Sequence, residues 1–442
     1  RHMATETASG TKRPTLAALG LALAVLSLGS GYALVVPVGE APDEPAHLAY
    51  VGFLLLHHAL PPLAHPPYGD RYESYQAPLD YAATALAASA LDIHSLTFSF
   101  QPNPAFSFFE QGSRAYLPPA AGCPIAAQIR ELRLAHLSWA AVAAVLVLFT
   151  CLRLAAGRLD LALAAAAPFV LSPQFLFVGA TVNNDGAVTA CAALATFCFV
   201  QLLDAERPSP WAALLAGIAV GLAPFGKVSG FLLLAPLGIA AAFLLRRRAY
   251  RAAVLLLVPA GALAASWMGL ALWRFGTVFP PPPTGLREGL RVSRELLNPH
   301  WLGSLWLSFW GKLGWLNLRL PLLAYLFFAV PTALAAVGAL RRAASPEERM
   351  REHWRRWLLL SIIGANLLLV VAYLVRIDWQ PQGRYLFPSL PALAGLAALG
   401  LRRIAEDPLW RHQLARGLLA LLIVSALGMA LLGLLVLGRT YS

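Results

Sequence analysis

The sequence predicts an all-α integral membrane protein, a polytopic bundle of about eleven transmembrane helices. Three observations carry that expectation. The 442 residues are 58% hydrophobic and 13% charged, with a mean hydropathy of +0.63, whereas soluble domains carry roughly 25% charged residues. The apolar runs are about 20 residues long, which suits a spanning helix rather than a barrel strand. The excess behind the net charge of +12 and the pI near 10.0 is mostly arginine, gathered in short connections between the runs. Backbone groups facing lipid must be satisfied within their own segment, so runs of this length form helices.

Taken in order, the runs are Leu16–Val38, Leu134–Leu154, Leu159–Val178, Ala187–Leu203, Trp211–Pro224 and Gly230–Leu245. Ala252–Trp273, Leu320–Leu340, Trp357–Val375, Tyr385–Leu401 and Leu414–Leu437 follow. Residues 1–14 precede the first run and carry Lys12 and Arg13, which places them in the cytoplasm; Arg1-His2 ahead of Met3 reads as an expression remnant. Strict alternation then puts Arg246–Arg248, Arg341–Arg356 and Arg402–Arg416 on the inner side, as the positive-inside bias requires. The same alternation puts two long segments, 39–132 and 274–319, on the outer side. The first is too long for a plain connector. It holds two apolar stretches, Ala46–Leu60 and Pro78–Leu91, suited to interfacial helices, with Pro61, Pro62, Pro66 and Pro67 breaking the chain between them. The second carries Pro280–Pro283 and many tryptophans. Residues 15–400 thus form a transmembrane module, and 401–442 a cytoplasmic linker with a last spanning helix.

The composition excludes several classes. Topology accounts for the basic residues, so no nucleic acid partner is expected. Among the four cysteines no CxxC or Cys/His spacing suggests a zinc site or a disulfide framework. No Gly-rich phosphate loop, GxSxG elbow or HExxH helix is present.

The polar motifs all fall on the predicted outer side. Just past the first helix, Pro42 and Pro45 flank two adjacent acids, Asp43 and Glu44. Charge is expensive beside a membrane and is seldom there by accident. Adjacent carboxylates repel, so one of them can take a raised pKa and serve as a base. Lys227 and Arg384 each stand at an outer helix end among apolar neighbours, where they can hold a phosphate. The competing readings are a snorkelling lysine and a topology or salt-bridge arginine.

In order, Pro42-Asp-Glu-Pro-Ala-His47, Glu73-Ser-Tyr-Gln-Ala-Pro-Leu-Asp-Tyr81, Val182-Asn-Asn-Asp185, Gly226-Lys-Val-Ser229, Ser308-Phe-Trp-Gly-Lys-Leu-Gly-Trp315 and Gln382-Gly-Arg-Tyr-Leu-Phe-Pro388 resemble the motifs of a bacterial family of membrane proteins of unknown function. That family is grouped with the GT-C glycosyltransferases. The resemblance spans residues 15 to about 400. This sequence departs from the pattern at Ala77, Asp80 and Phe225-Gly226.

The resemblance implies a GT-C-like bundle in a bacterial inner membrane, with its active site on the extracytoplasmic side. It implies transfer of a sugar from a polyprenyl-phosphate donor to a glycan, lipid or protein acceptor, with inversion. Asp43 matches the family's base or acceptor-orienting carboxylate, with Glu44 its neighbour and alternative. His47, Glu73, Gln76, Asn184, Asp185, Lys227, Trp310, Lys312, Gln382, Arg384 and Tyr385 become candidate substrate contacts. Asn183, Asn184 and Asp185 can equally cap a helix, and Trp310, Trp315 and Tyr385 can equally belong to an aromatic belt. An acid pair such as Asp43 and Glu44 can also hold Mg or Mn with waters. Two other classes stay open: a transporter or flippase of lipid-linked saccharides, and a ligase or phosphotransferase sharing the outer site.

Overall fold

The computed structural model describes residues 2–63, 72–96, 98–119, 123–278, 296–341, 346–376, 379–406 and 412–441. Pro66, Pro67 and Pro280–Pro283 lie outside the described residues. All eleven expected segments are helical. Among the described residues, nine helices are long and apolar enough to cross a membrane. A tenth span counts if Leu159–Val170 and Pro173–Gly179 are taken together, and the eleventh segment, Pro210–Gly226, is a shorter apolar helix. The pair bends by 64°. A residue before proline is driven out of the helical region, and Ser172 duly turns extended, its Oγ accepting the Phe175 amide at 3.3 Å to start the second piece.

Helix α1 (His2–Val35) runs into the turn bearing Asp43. In the first long loop, α2 (Glu44–His57) and α3 (Leu79–Ala90) flank a single 3-10 turn, Tyr72–Tyr75. The two helices are stapled by Tyr50 and Tyr81, stacked 4.0 Å apart. With Leu48, Val51, Ile129 and Leu132 they form a small core on the first turns of α4 (Pro124–Leu154). The loop is therefore a packed platform rather than a tether. Next come α5 (Leu159–Val170), α6 (Pro173–Gly179), α7 (Asp185–Asp204), α8 (Pro210–Gly226), α9 (Leu234–Arg246) and α10 (Tyr250–Phe275). The second long loop ends in α11 (His300–Gly311) and a two-residue hairpin, β1 (Lys312–Leu313) with β2 (Leu318–Arg319). Last are α12 (Leu322–Leu340), α13 (Pro346–Arg376), α14 (Leu390–Ala405) behind the 3-10 turn Gly383–Ser389, and α15 (His412–Tyr441).

Burial sorts these helices. The spans Asp185–Asp204 and Gly383–Ala405 are 72% and 83% buried, whereas Tyr250–Phe275 and Arg416–Tyr441 are only 28% buried. So α7 and α14 form the middle of the bundle and α10 and α15 its rim. Close contact there needs small side chains: a Cβ on Gly338 of α12 would collide with the Leu396 carbonyl of α14. Polar groups divide between the two ends. At the end remote from Asp43, Arg355 pairs with Asp204, Arg247 donates to the Ala205 carbonyl at 2.9 Å, and Arg402 and Arg403 engage Glu348 and Glu352.

Candidate active site

Asp43 stands at the N-cap of α2 with φ of 67°, in the left-handed region. Aspartate enters that region more readily than most side chains. Its carbonyl still accepts the His47 amide at 3.1 Å, and Pro45 lies in the first turn, where a missing N–H costs no bond. The turned backbone carries the carboxylate to Arg384, whose Nη2 donates directly to Asp43 Oδ2. Arg384 is brought there by a tight approach of two segments. Gly383 donates its amide to Ser308 Oγ at 2.8 Å, and a Cβ on Gly383 would collide with the Phe309 backbone.

Asp185, the first residue of α7, continues the chain of charges. Its Oδ1 lies 2.5 Å from Lys227 Nζ and its Oδ2 3.8 Å from Arg384 Nε. Both cations also flank the Tyr385 ring, Lys227 Nζ at 5.3 Å and Arg384 Cζ at 5.6 Å from its centroid. Residues 43, 185, 227 and 384 therefore form one continuous cluster.

Glu73 and His47 close the other side. Single ligand atoms of Asp43, His47 and Glu73 lie within 4.8 Å of one another. His47 Nδ1 is 2.7 Å from the Tyr81 hydroxyl, and burial drives its pKa down to about 3, so the ring is neutral. Gln76 bonds the Glu73 side chain and accepts from Asn184 Nδ2 at 2.9 Å. Burial first, and Asp43 second, push the Glu73 carboxyl up from 4.5 to about 8. At neutral pH Glu73 is thus mostly protonated, and two carboxylates, Asp43 and Asp185, balance two cations.

That shift fixes a pH dependence. A carboxyl that holds its proton more tightly when folded stabilises the protein below its unfolded pKa, and the contribution is lost as pH rises through the folded value. Stability should therefore fall between about pH 4.5 and about pH 8, and Glu73→Gln should flatten that slope. Thermal unfolding across the window reads this. A wild-type midpoint that rises with pH while the variant's stays level would refute the protonated assignment.

Other expected contacts go elsewhere. Glu44 is fully buried and bound by Arg133, with Nε at 2.8 Å and Nη2 in direct contact, while the Val182 amide donates to it at 3.1 Å. Both its oxygens are engaged, so it is not the spare acid of a metal-holding pair with Asp43. Trp310 is 2% exposed and stacks on Phe328 at 4.6 Å, beside Phe169 and Phe309, so it belongs to the core and not to a substrate wall. Lys312 sits opposite Arg319 in the hairpin, its amide donating to Gln174 at 2.8 Å. Burial and Arg319 both lower its pKa. Gln382 is buried and donates to Gln380 at 2.7 Å. No bond described for Lys312 or Gln382 reaches the charged cluster. Asn184 is the N-cap of α7 but makes no side-chain cap bond; Asn183 before it forms a local turn, its Oδ1 accepting the Asp185 amide at 2.8 Å.

Sequence reasoning missed Arg133 and the buried pair Asp80–His136, 3.2 Å apart, whose imidazole also contacts the Asn183 carbonyl at 2.9 Å. Helix α4 starts ten residues before the apolar run does, so Arg133 counted as loop. His136 lay inside the run, where an ionisable side chain is itself a signal.

The bundle of spanning helices, with a packed first loop following Asp43, defines an all-α polytopic membrane protein. Residues 114–393, more than half of the chain, match the family described as Predicted membrane protein (DUF2142), and the chain belongs to that family. The fold is shared with ArnT from Cupriavidus metallidurans. The structure bound to undecaprenyl phosphate overlaps at a TM-score of 0.57 with 13% identity, over 96% of this chain and 77% of that one. The apo structure overlaps at 0.54 with 13% identity, over 97% and 77%. No curated protein matches the sequence.

Proposed function

We propose that the protein is a glycosyltransferase of the bacterial inner membrane, moving a sugar from a polyprenyl-phosphate donor to an acceptor hydroxyl on the extracytoplasmic side. The observation that carries this reading is the meeting of Asp43, Lys227 and Arg384 in one cluster. Residues so distant in sequence have no local reason to converge. A base beside two phosphate-binding cations is what transfer from a lipid phosphate needs. The fold agrees, because a neighbour in fold binds undecaprenyl phosphate.

In the chemistry we infer, the donor's phosphate draws Lys227 and Arg384 away from their carboxylates. Asp43 is thereby released from Arg384 and becomes the stronger base. The acceptor oxygen attacks the anomeric carbon opposite the phosphate, its proton passes to Asp43, and the bond from that carbon to the phosphate oxygen breaks. The electron pair leaves on the phosphate, which the two cations stabilise. Inversion follows from the single displacement.

Asp43, His47 and Glu73 also have the donor set for a divalent cation, with one neutral imidazole favouring Mn or Zn over Mg. Glu73 Oε2 has no hydrogen-bond partner, and a cation binding there would displace the Glu73 proton to take the carboxylate as ligand. A bound cation there would hold Asp43 and Glu73 in place and polarise a coordinated oxygen.

A transfer assay with polyprenyl-phosphate sugars tests both points. Lys227→Gln and Arg384→Gln should each lower kcat/KM about 100-fold, as loss of a charge-stabilising group does. Unchanged turnover in both variants would remove the phosphate assignment. Chelator in the same assay decides the cation: full activity after chelation excludes it.

A further inference from the structure

Helix α4 carries two buried polar anchors one turn apart. Arg133 holds Glu44, and His136 holds Asp80 of the first turn of α3, all four side chains fully buried. Both pairs also grip the connector between α6 and α7. Glu44 accepts the Val182 amide at 3.1 Å, and His136 Nε2 lies 2.9 Å from the Asn183 carbonyl oxygen. Nε2 is also 3.2 and 3.3 Å from the two Asp80 oxygens, so it faces acceptors alone and carries a proton. Nδ1 stands 3.4 Å from the carbonyl of Gly179, the last residue of α6. The ring is confined as well: a Cβ on Gly186 would come within 2.9 Å of its Cε1.

This connector delivers two groups to the site. Asn184 donates to Gln76, which bonds the Glu73 side chain, and Asp185 holds Lys227 Nζ at 2.5 Å. The Asn183 carbonyl belongs to the planar peptide that leads into Asn184, so its direction helps set where both following residues point. Asn183 Oδ1 then takes the Asp185 amide at 2.8 Å, which passes the constraint on to α7. A buried ion pair is a weak source of stability, but a buried carbonyl left without a donor is costly. We propose that His136, oriented by Asp80, is a positioning residue of the charged cluster: its grip on the Asn183 carbonyl sets Asp185, and Asp185 sets the resting place of Lys227. His136 touches no substrate in this role. That Lys227 goes on to meet a donor phosphate rests on the transferase reading; the hold on Lys227 does not.

Amine labelling of the full chain in detergent with acetic anhydride, read by mass spectrometry, tests it. The lysines are Lys12, Lys227 and Lys312. Lys12 is exposed, and Lys312 lies in the hairpin, away from the bonds of the cluster. Wild-type Lys227 should label slowly against Lys12. Asp185→Asn should speed it about tenfold, the order of a lost charge-assisted hydrogen bond. The double variant Asp80→Ala, His136→Leu strands no charge but offers the carbonyl no donor, and it should give a similar rise. Asp80→Asn, His136→Gln restores a donor and should return Lys227 to near the wild-type rate. Combining Asp80→Ala, His136→Leu with Asp185→Asn should add nothing further, because the residues act in series. A wild-type rate at Lys227 in Asp80→Ala, His136→Leu overturns the proposal. So does an equal rise at Lys312, which marks a loosened fold, or an Asn–Gln pair that labels as fast as the Ala–Leu pair. The outcome is separate from transfer: a wild type that moves no sugar loses the transferase reading and keeps this one, whereas unchanged labelling loses this one while transfer stands.

Discussion

Replacing Asp43 by asparagine is expected to lower transfer from a polyprenyl-phosphate sugar by about 10³-fold, within the range of a lost general base. The side chain keeps its size and can still meet Arg384, so the thermal midpoint should change little. The variant should also bind the donor normally, because Lys227 and Arg384 keep their charges. The loss then appears in kcat rather than in KM. Wild-type turnover in Asp43→Asn would exclude the base. A loss that appears only as a raised KM, with kcat unchanged, would make Asp43 a binding residue instead.

Breaking the Glu44–Arg133 pair is expected to act on the fold. Both side chains are fully buried, and Arg133 also donates to the Ala33, Val36 and Pro37 carbonyls. It thereby ties the end of α1 to α4, while Glu44 reaches the Val182 amide ahead of α7. Removing one partner strands the other charge without solvent, which costs about 3–5 kcal/mol in buried pairs. Glu44→Gln and Arg133→Met should therefore each reduce folded yield and thermal midpoint. The double variant Glu44→Leu, Arg133→Met should recover the part of the loss due to a stranded charge, while the Ala33, Val36 and Pro37 carbonyls and the Val182 amide stay unpaired and keep it below wild type. If Glu44→Gln kept the wild-type midpoint and lost turnover, the catalytic acid would be Glu44 after all.

These two variants separate neighbours between which the sequence favoured Asp43 without deciding. Consecutive residues at a helix start point about 100° apart. With Asp43 turned towards Arg384 on one side, Glu44 faces α4 on the other. Nothing in Pro42-Asp-Glu-Pro45 sets which residue takes which direction. The φ of Asp43 and the location of Arg133 set it. Trp310 was ambiguous for a related reason. An aromatic at a loop end suits either a substrate wall or the core, and only its stack on Phe328 decides between them.

By itself the sequence determined the helices and the gathering of Asp43, Asp185, Lys227 and Arg384 at one end of the bundle. Those properties follow from local hydropathy and from the cost of charge in lipid, which act segment by segment. The tertiary structure alone decided the partners: Arg384 with Asp43, Lys227 with Asp185, Arg133 with Glu44. Partnership depends on distances between segments as much as 341 residues apart. Side-chain packing sets those distances, and no local pattern encodes them.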